Sequence, residues 1–306
     1  MLDLRQLEAL RAVSLEGSVA RAATHLGWSQ PTVDYHLKNL DRLVGTSLLR
    51  RSTRGSTLTS AGSLMLERAN EILTLAERAV VDVRDLAEMG HVRLRFGTFP
   101  TAAARLLPSI VSKLAELGIE IDATLEEVGL LVTHVNHREL DAVLVYSVPG
   151  YELPFRGDVT TTEVLRDPLQ LALPESHPLA ARDTIDRATL VTLSDERWLL
   201  GATRGDPLDT VVIDAFADAG HSLDVAIRTD DFSVMLGMIA AGMVIGLVPR
   251  LASGSTHPGV ALRPIDDPAF ARSIQIAAPS EGPGREPSTA VRQLANAVRQ
   301  SVGALG

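Results

Sequence analysis

Between Thr59 and Met89 the chain runs without a proline and carries one glycine, Gly62, near the start. Met65, Ala69, Ile72, Ala76, Ala79, Val83 and Leu86 recur there at spacings of 4, 3, 4, 3, 4 and 3. This is a heptad seam held for about three heptads, one apolar stripe along a single helix. Leu66, Leu73, Val80 and Ala87 form a second stripe beside it, while Glu67, Glu71, Glu77, Asp82, Asp85 and Glu88 lie largely off the seam. A helix this amphipathic needs a partner, and Gly90 stops it before a new segment begins. It either packs within one domain or joins two subunits; the separately organised segments on its two sides favour dimerisation.

Those two segments differ in charge. Residues 1–58 hold eight Arg and Lys (Arg5, Arg11, Arg21, Lys38, Arg42, Arg50, Arg51, Arg54) against five acids, whereas the whole chain carries a net charge of −9. A small basic head on an acidic body suits a nucleic-acid-binding module joined to something else. The length of 306 residues fits about two domains. Cysteine is absent, which excludes disulfides, thiolate metal sites and cysteine nucleophiles. The start, Met1-Leu2-Asp3-Leu4-Arg5, has no secretory pattern. The longest nearly apolar run, Met235 to Pro249, is 15 residues long, short of the roughly 18 a membrane helix needs. A soluble, cytoplasmic protein is expected.

In the head, Leu4, Leu7, Leu10 and Val13 recur at helical spacing. A second helical pattern runs through Val19, Ala20, Ala22, Ala23 and Leu26 and meets Gly27. A third follows with Ser29 as N-cap and Pro31 in the first turn, where a missing N–H costs nothing. Two short helices joined by about three residues that include glycine form a helix-turn-helix signature. With Val33, Leu37 and Leu40 turned inward, Thr32, Tyr35, His36 and Asn39 are expected to face outward, and Lys38 to lie near the edge. Two extended runs then flank Arg54-Gly55, which reads as a hairpin carrying Arg50, Arg51 and Arg54 for phosphates; the plainer alternative is a surface hairpin with solvated arginines.

Leu4-Arg5-Gln6-Leu7, Gly17-Ser18, Arg21-Ala22-Ala23, Leu26, Ser29-Gln30-Pro31, Val33, Leu37, Leu40, Gly45, Leu48, Arg50-Arg51 and Leu58-Thr59-Ser60-Ala61-Gly62 resemble the winged helix-turn-helix of LysR-type transcriptional regulators. Asp34 and Tyr35 depart from it, standing where the family often has Ser and Arg. Asp34 cannot donate to phosphate, so no contact is carried over to it; it either favours a cytosine amino group or simply points away. The resemblance implies DNA contacts from Ser29, Gln30, Pro31, Thr32, Tyr35, His36, Lys38, Arg50, Arg51 and Arg54, and a pairing role for the long helix.

Beyond Gly90, strand-like and helix-like segments alternate. Strands are expected at Val92 to Gly97, Ile119 to Leu125, Leu140 to Tyr146, Leu169 to Leu173, Trp198 to Leu200, Val225 to Arg228, Val244 to Leu247 and Ile274 to Ala277. Helices are expected at Pro100 to Leu117, Leu208 to Ala219 and Ser288 to Val302. The alternation argues for an α/β body with a largely parallel sheet. Gly97-Thr98, Leu107-Pro108, Leu140-Asp141-Ala142, His177-Pro178-Leu179 and Ala241 to Pro249 resemble the LysR-type effector-binding domain, two α/β lobes similar to periplasmic solute-binding proteins. The expected organisation is multidomain: a winged helix-turn-helix over 1–58, a linker helix over 59–89, and a two-lobed body over 90–306. Lobe I would take about 91–163 and 267–306, and lobe II about 164–266.

Ligands of open α/β sheets bind beyond strand carboxyl ends, where helix N-termini present free N–H groups. The pocket candidates are therefore Thr98, Phe99, Pro100 and Thr101 in one lobe, Thr203 and Arg204 in the other, together with Tyr146 and Phe232. Thr98 and Thr203 equally suit helix capping, and Arg204 reads better as a surface charge. The composition hints at a small polar or anionic effector. His134, His137 and Glu139 lack a further metal ligand, no G-x-S-x-G occurs, and Gly237 and Gly242 are followed by Met243 where a phosphate loop needs Lys. No enzyme, metal or cofactor is expected. The expected partners are double-stranded DNA, a small-molecule effector and a second copy, as dimer or tetramer, with RNA polymerase a further candidate. Solute-binding and enzyme readings of the body stand against the attached helix-turn-helix.

Overall fold

The computed structural model describes residues 1–52, 55–253, 257–280 and 287–304, without the side chains of residues 85, 88 and 89. It divides into two units, Met1–Gly90 and His91–Gly306.

The first unit begins with α1 (Leu4–Glu16), opened by a capping box between Asp3 and Gln6 and closed by Gly17. The second helix, α2 (Val19–Leu26), is capped by Ser18, and α3 (Gln30–Val44) by Ser29, whose side chain accepts the Thr32 N–H. Leu7, Leu10, Val13, Ala22, Val33, Leu37 and Leu40 close the core between them. Next come β1 (Leu49–Ser52) and β2 (Gly55–Leu58), an antiparallel pair, and then α4 (Ser60–Met89), capped by Thr59.

Two glycines set how these parts meet. A Cβ on Gly62 would lie 2.0 Å from the Leu48 carbonyl oxygen, so only glycine lets the first turn of α4 pass the backbone that leads into β1. Gly55 has φ +136°, and a Cβ there would lie 2.5 Å from the Gly17 oxygen. The Ser56 N–H donates to that same Gly17 oxygen at 2.8 Å, tying the hairpin to the α1–α2 turn.

The heptad seam divides along α4. Ala69, with Leu73 of the second stripe, is buried in the head core, so the proximal half packs on the chain's own helices. Farther along, Val80, Val83 and Leu86 stand exposed, Val83 at 69%.

The second unit holds β3 (Val92–Thr98), α5 (Pro100–Ala115), β4 (Ile119–Leu125), α6 (Val128–Asn136), β5 (Ala142–Ser147), β6 (Val159–Pro174), α7 (Arg187–Val191), β7 (Arg197–Leu200), α8 (Pro207–Asp218), β8 (Asp224–Arg228), α9 (Phe232–Ala240), β9 (Ile245–Pro249), β10 (Val260–Pro264), β11 (Ala271–Pro279) and α10 (Thr289–Gly303). Their strand order is β4-β3-β5-β11-β6-β9-β7-β8, with β10 also on β6. The expected largely parallel sheet is corrected to a mixed one. β3 pairs in parallel with β4 and β5, as does β7 with β8 and β9. β6 and β11, however, run antiparallel to their neighbours.

The physical reason is β6 itself. Its first half pairs with β11, and its second half with β9 and β10, so one 16-residue strand serves both lobes. One core surrounds Phe96, Leu106, Val143, Ile274 and Leu294. Another surrounds Leu171, Trp198, Phe216 and Phe270.

Candidate functional site

Ser29, Gln30, Pro31 and Thr32 begin α3 on the surface of the head. The Ser29 and Thr32 hydroxyls lie 2.7 Å apart, so capping orders both before any ligand arrives. Tyr35, 62% exposed, and Lys38 continue the exposed face by one and two turns. Arg50 and Arg51 are exposed on β1, and Arg54 lies outside the described residues.

His36 does not join this surface. It is 8% exposed, its ring 5.3 Å from that of Trp28, and its Nδ1 is buried without a hydrogen-bond partner. The expectation of an outward His36 is corrected by helix geometry: Val33, His36, Leu37 and Leu40 stand at i, i+3, i+4 and i+7, which is the inward face. Asp34 also finds a use: its carboxylate meets the Arg51 guanidinium at 2.6 Å, so an ion pair joins α3 to β1. Asp34 does turn away from a phosphate role, but it does so by holding one of the arginines expected to contact phosphate.

The second site is a cleft in the body. Phe99, Pro100 and Thr101 open α5 at the carboxyl end of β3, and Tyr146 stands near the end of β5. Across from them lie Asp206, Leu208, Asp209, Thr229, Asp230 and Phe232. Leu169, Leu199, Leu200, Val212, Met235 and Leu247 add an apolar wall. The cleft has a volume of about 80 Å³.

Of the residues expected at this site, Phe99, Pro100, Thr101, Tyr146 and Phe232 line the cleft. Thr98, Thr203 and Arg204 do not. Thr98 is 1% exposed, with a buried hydroxyl that has no partner, because the inward position of a central strand takes it into the core. Thr203 donates its hydroxyl to Asp230 at 3.0 Å, which fastens its loop. Arg204 is exposed and stands outside the lining.

Arg272 organises one end of the cleft, and the sequence alone gave no reason to choose it. It is 1% exposed and donates to Asp167 Oδ2 at 2.9 Å and to the Thr101 hydroxyl at 3.0 Å. Its guanidinium lies 4.9 Å from the Phe99 ring centre and 4.8 Å from that of Tyr146. Asp167 also accepts the Leu251 N–H at 2.9 Å. The Tyr146 hydroxyl donates to Asp206 at 2.8 Å, and burial pushes the phenol pKa up.

Asp206, Asp209 and Glu127 all have pKa values above the ordinary carboxylate range. Burial is the main cause for each. Asp230 and Asp206 add repulsion at Glu127, Asp230 does so at Asp206, and Asp206 does so at Asp209. The missed acids had one legible sign, the Asp206-Pro207 pair at a helix start after a strand. Elsewhere, His134 pairs with Glu126 at 2.9 Å and with Glu139, whose hydrogen bond raises the imidazole pKa. Among the described residues no group of His, Asp and Glu is placed to hold a metal ion.

Both surfaces have counterparts among known proteins. Residues 4–63 match the profile described as "Bacterial regulatory helix-turn-helix protein, lysR family", and residues 75–303 match the "LysR substrate binding domain". The chain belongs to the LysR-type transcriptional regulators. This regulator is 30% identical over 295 residues to the small neutral protease regulatory protein of Streptomyces coelicolor, covering 96% of its own length and 78% of the relative's. It is 28% identical to the transcriptional dual regulator OxyR of Escherichia coli, covering 97% and 95%. A solved structure of full-length CbnR with its target DNA is 25% identical, with a TM-score of 0.62 and coverage of 98% and 100%. The regulator is thus a DNA-binding protein with an effector-binding domain, and no helix among its described residues is long and apolar enough to cross a membrane.

Proposed function

We propose that this regulator binds an inverted-repeat promoter site as a dimer or dimer of dimers, in the cytoplasm, under control of a small molecule held between the two lobes of its body. The observation that carries the reading is the exposed start of α3, with its ordered Ser29 and Thr32 hydroxyls and the projecting Tyr35, beside a basic strand. A helix N-terminal half presented in this way suits the major groove.

Gln30, Thr32, Tyr35 and Lys38 read or border the bases, while Ser29 and Pro31 set the entry of the helix. Arg50 and Arg51 hold phosphates, and Arg54, outside the described residues, is proposed for the same role. His36 supports α3 from inside. The organisation is 1–58 for reading, 59–89 for linking and 90–306 for sensing, with 91–163 and 267–306 as lobe I and 164–266 as lobe II. The exposed Val80, Val83 and Leu86 pair with a second copy, which doubles the contacts through one bivalent complex. The cleft binds without turnover, through Phe99, Pro100, Thr101, Tyr146 and Phe232. Signalling needs a ligand that prefers one lobe arrangement over another. With no cysteine in the sequence, thiol oxidation is not the signal in this chain.

Selection of the purified protein on fragmented genomic DNA, followed by footprinting, tests the reading. A few enriched fragments with a two-half-site footprint are expected. Retention that is sensitive to salt but indifferent to sequence overturns the specific reader.

A further inference from the structure

The cleft is charged in a way that the aromatic and apolar lining does not account for. Glu127, Asp206, Asp209 and Asp230 all line it, and Arg272 is the one basic residue among its lining residues. Arg272 is already committed to Asp167, while Asp209 takes Arg228 at 3.3 Å. Among the described residues, Asp206 and Asp230 accept from neutral donors: Leu208 N–H and the Tyr146 hydroxyl for the first, the Ala202 and Thr203 N–H groups and the Thr203 hydroxyl for the second. Among the described residues no hydrogen bond or ion pair reaches the Glu127 carboxylate.

We infer that the effector of this regulator is an organic cation, a small ammonium compound with an aliphatic or aromatic body, held between Glu127 on one lobe and Asp206 and Asp230 on the other. This rests on the reading of the cleft as the effector site. The ammonium head answers three carboxylates that, among the described residues, form no ion pair, although the Arg272 charge is felt at Asp206, and its apolar body meets Phe232, Leu199, Met235 and Leu247. A metal ion is the weaker occupant, because no three ligating side chains among the described residues are grouped for one. An anionic effector would add charge to a wall whose acids already repel one another.

The arrangement also supplies a switch. Glu127 and the pair Asp206 and Asp230 belong to opposite walls, so the empty cleft carries like charge across the gap. An ammonium ion placed between them converts that repulsion to attraction and favours the closed arrangement, which is the differential affinity a signal needs. Because these acids hold protons more tightly than usual, binding should weaken as pH falls and they become protonated.

The test measures binding by calorimetry on the full-length protein with three probes of similar shape: 2-phenylethylamine, 2-phenylethanol and 3-phenylpropanoate. Butane-1,4-diamine and succinate provide a second matched pair. The amines are expected to bind more tightly than their neutral and anionic counterparts, and more tightly near pH ~8 than near pH ~5. Glu127→Gln and Asp230→Asn should each weaken the amines about tenfold, the loss of one charge contact worth ~1.4 kcal/mol. Binding of 3-phenylpropanoate or succinate that equals the amines, and disappears when Leu208→Trp fills the cleft, overturns the cation and leaves the effector site standing. Magnesium binding that competes with the amines also overturns the organic cation. No binding by any probe of any charge overturns the effector cleft and its cation together, whereas the DNA footprint tests the head separately.

Discussion

Arg272→Met is the perturbation that most directly examines how the two lobes are joined. Arg272 lies on β11 and its partner Asp167 on β6, and the two are 1% and 2% exposed. The substitution retains an apolar stem of similar reach but removes the Asp167 contact at 2.9 Å, the Thr101 contact at 3.0 Å and two aromatic stackings. The large consequence is for the group left behind. Asp167 retains the Leu251 N–H but loses its counter-charge in a buried site, and breaking one side of such a pair costs about 3–5 kcal/mol. Asp167→Asn in the same chain removes the stranded charge while keeping an acceptor for Leu251, so the double variant should recover about half of that loss. Guanidinium unfolding of the full chain can be followed by Trp198, buried against Phe216, in a Trp28→Phe background. A cost below ~1 kcal/mol for Arg272→Met, or no recovery in the double variant, would refute the claim that this pair acts as a charge-compensated clamp.

Three further outcomes follow from the geometry. Gly62→Ala brings a methyl group to 2.0 Å from the Leu48 oxygen, so the head should lose about 3 kcal/mol or more in thermal unfolding; a wild-type midpoint would mean that α4 can shift freely. His36→Leu should leave head stability unchanged or raise it by about 1 kcal/mol, since it removes an unpartnered buried nitrogen. Operator preference in a binding-site selection should then stay constant, whereas Tyr35→Ala should weaken the specific site by about 1–3 kcal/mol. Glu127→Gln should stabilise the ligand-free protein near neutral pH by up to about 0.5 kcal/mol, discounted for the exposure of that side chain. Its raised pKa means that the charged form costs stability at high pH, so the gain should vanish as pH falls toward the ordinary value of 4.5; denaturation midpoints across pH check the sign.

The head was legible because each local signal agreed with its neighbours. Ser29 and Pro31 start α3, Gly17 and Gly27 end helices, and the inward residues repeat at helical spacing. His36 was misread because its polarity was weighed above its position, although Val33, Leu37 and Leu40 already placed it inside. In the body, local alternation found most strands and the helices α5, α8 and α10, but did not set out α6, α7, α9, β10 or the first half of β6. That half begins Val159-Thr160-Thr161-Thr162 and faces β11 more than a hundred residues later, so its strand character comes from a long-range pairing. The same holds for the cleft. Phe99 and Thr101 follow from a strand–helix junction, whereas Arg272 and Asp167 meet across 105 residues of sequence, a separation that carries no periodic mark.

The hydrogen bond from Ser56 to Gly17 makes the head a single piece. The hairpin is fastened to the α1–α2 turn by backbone and to α3 by Asp34 and Arg51, so neither the reading helix nor its basic strand has a separate hinge. A ruler of this kind cannot be retuned by bending its own marks. In the dimer proposed above, a signal from the body would then change the distance and angle between two such heads, so operator spacing, rather than half-site sequence, would be the quantity on which regulation acts.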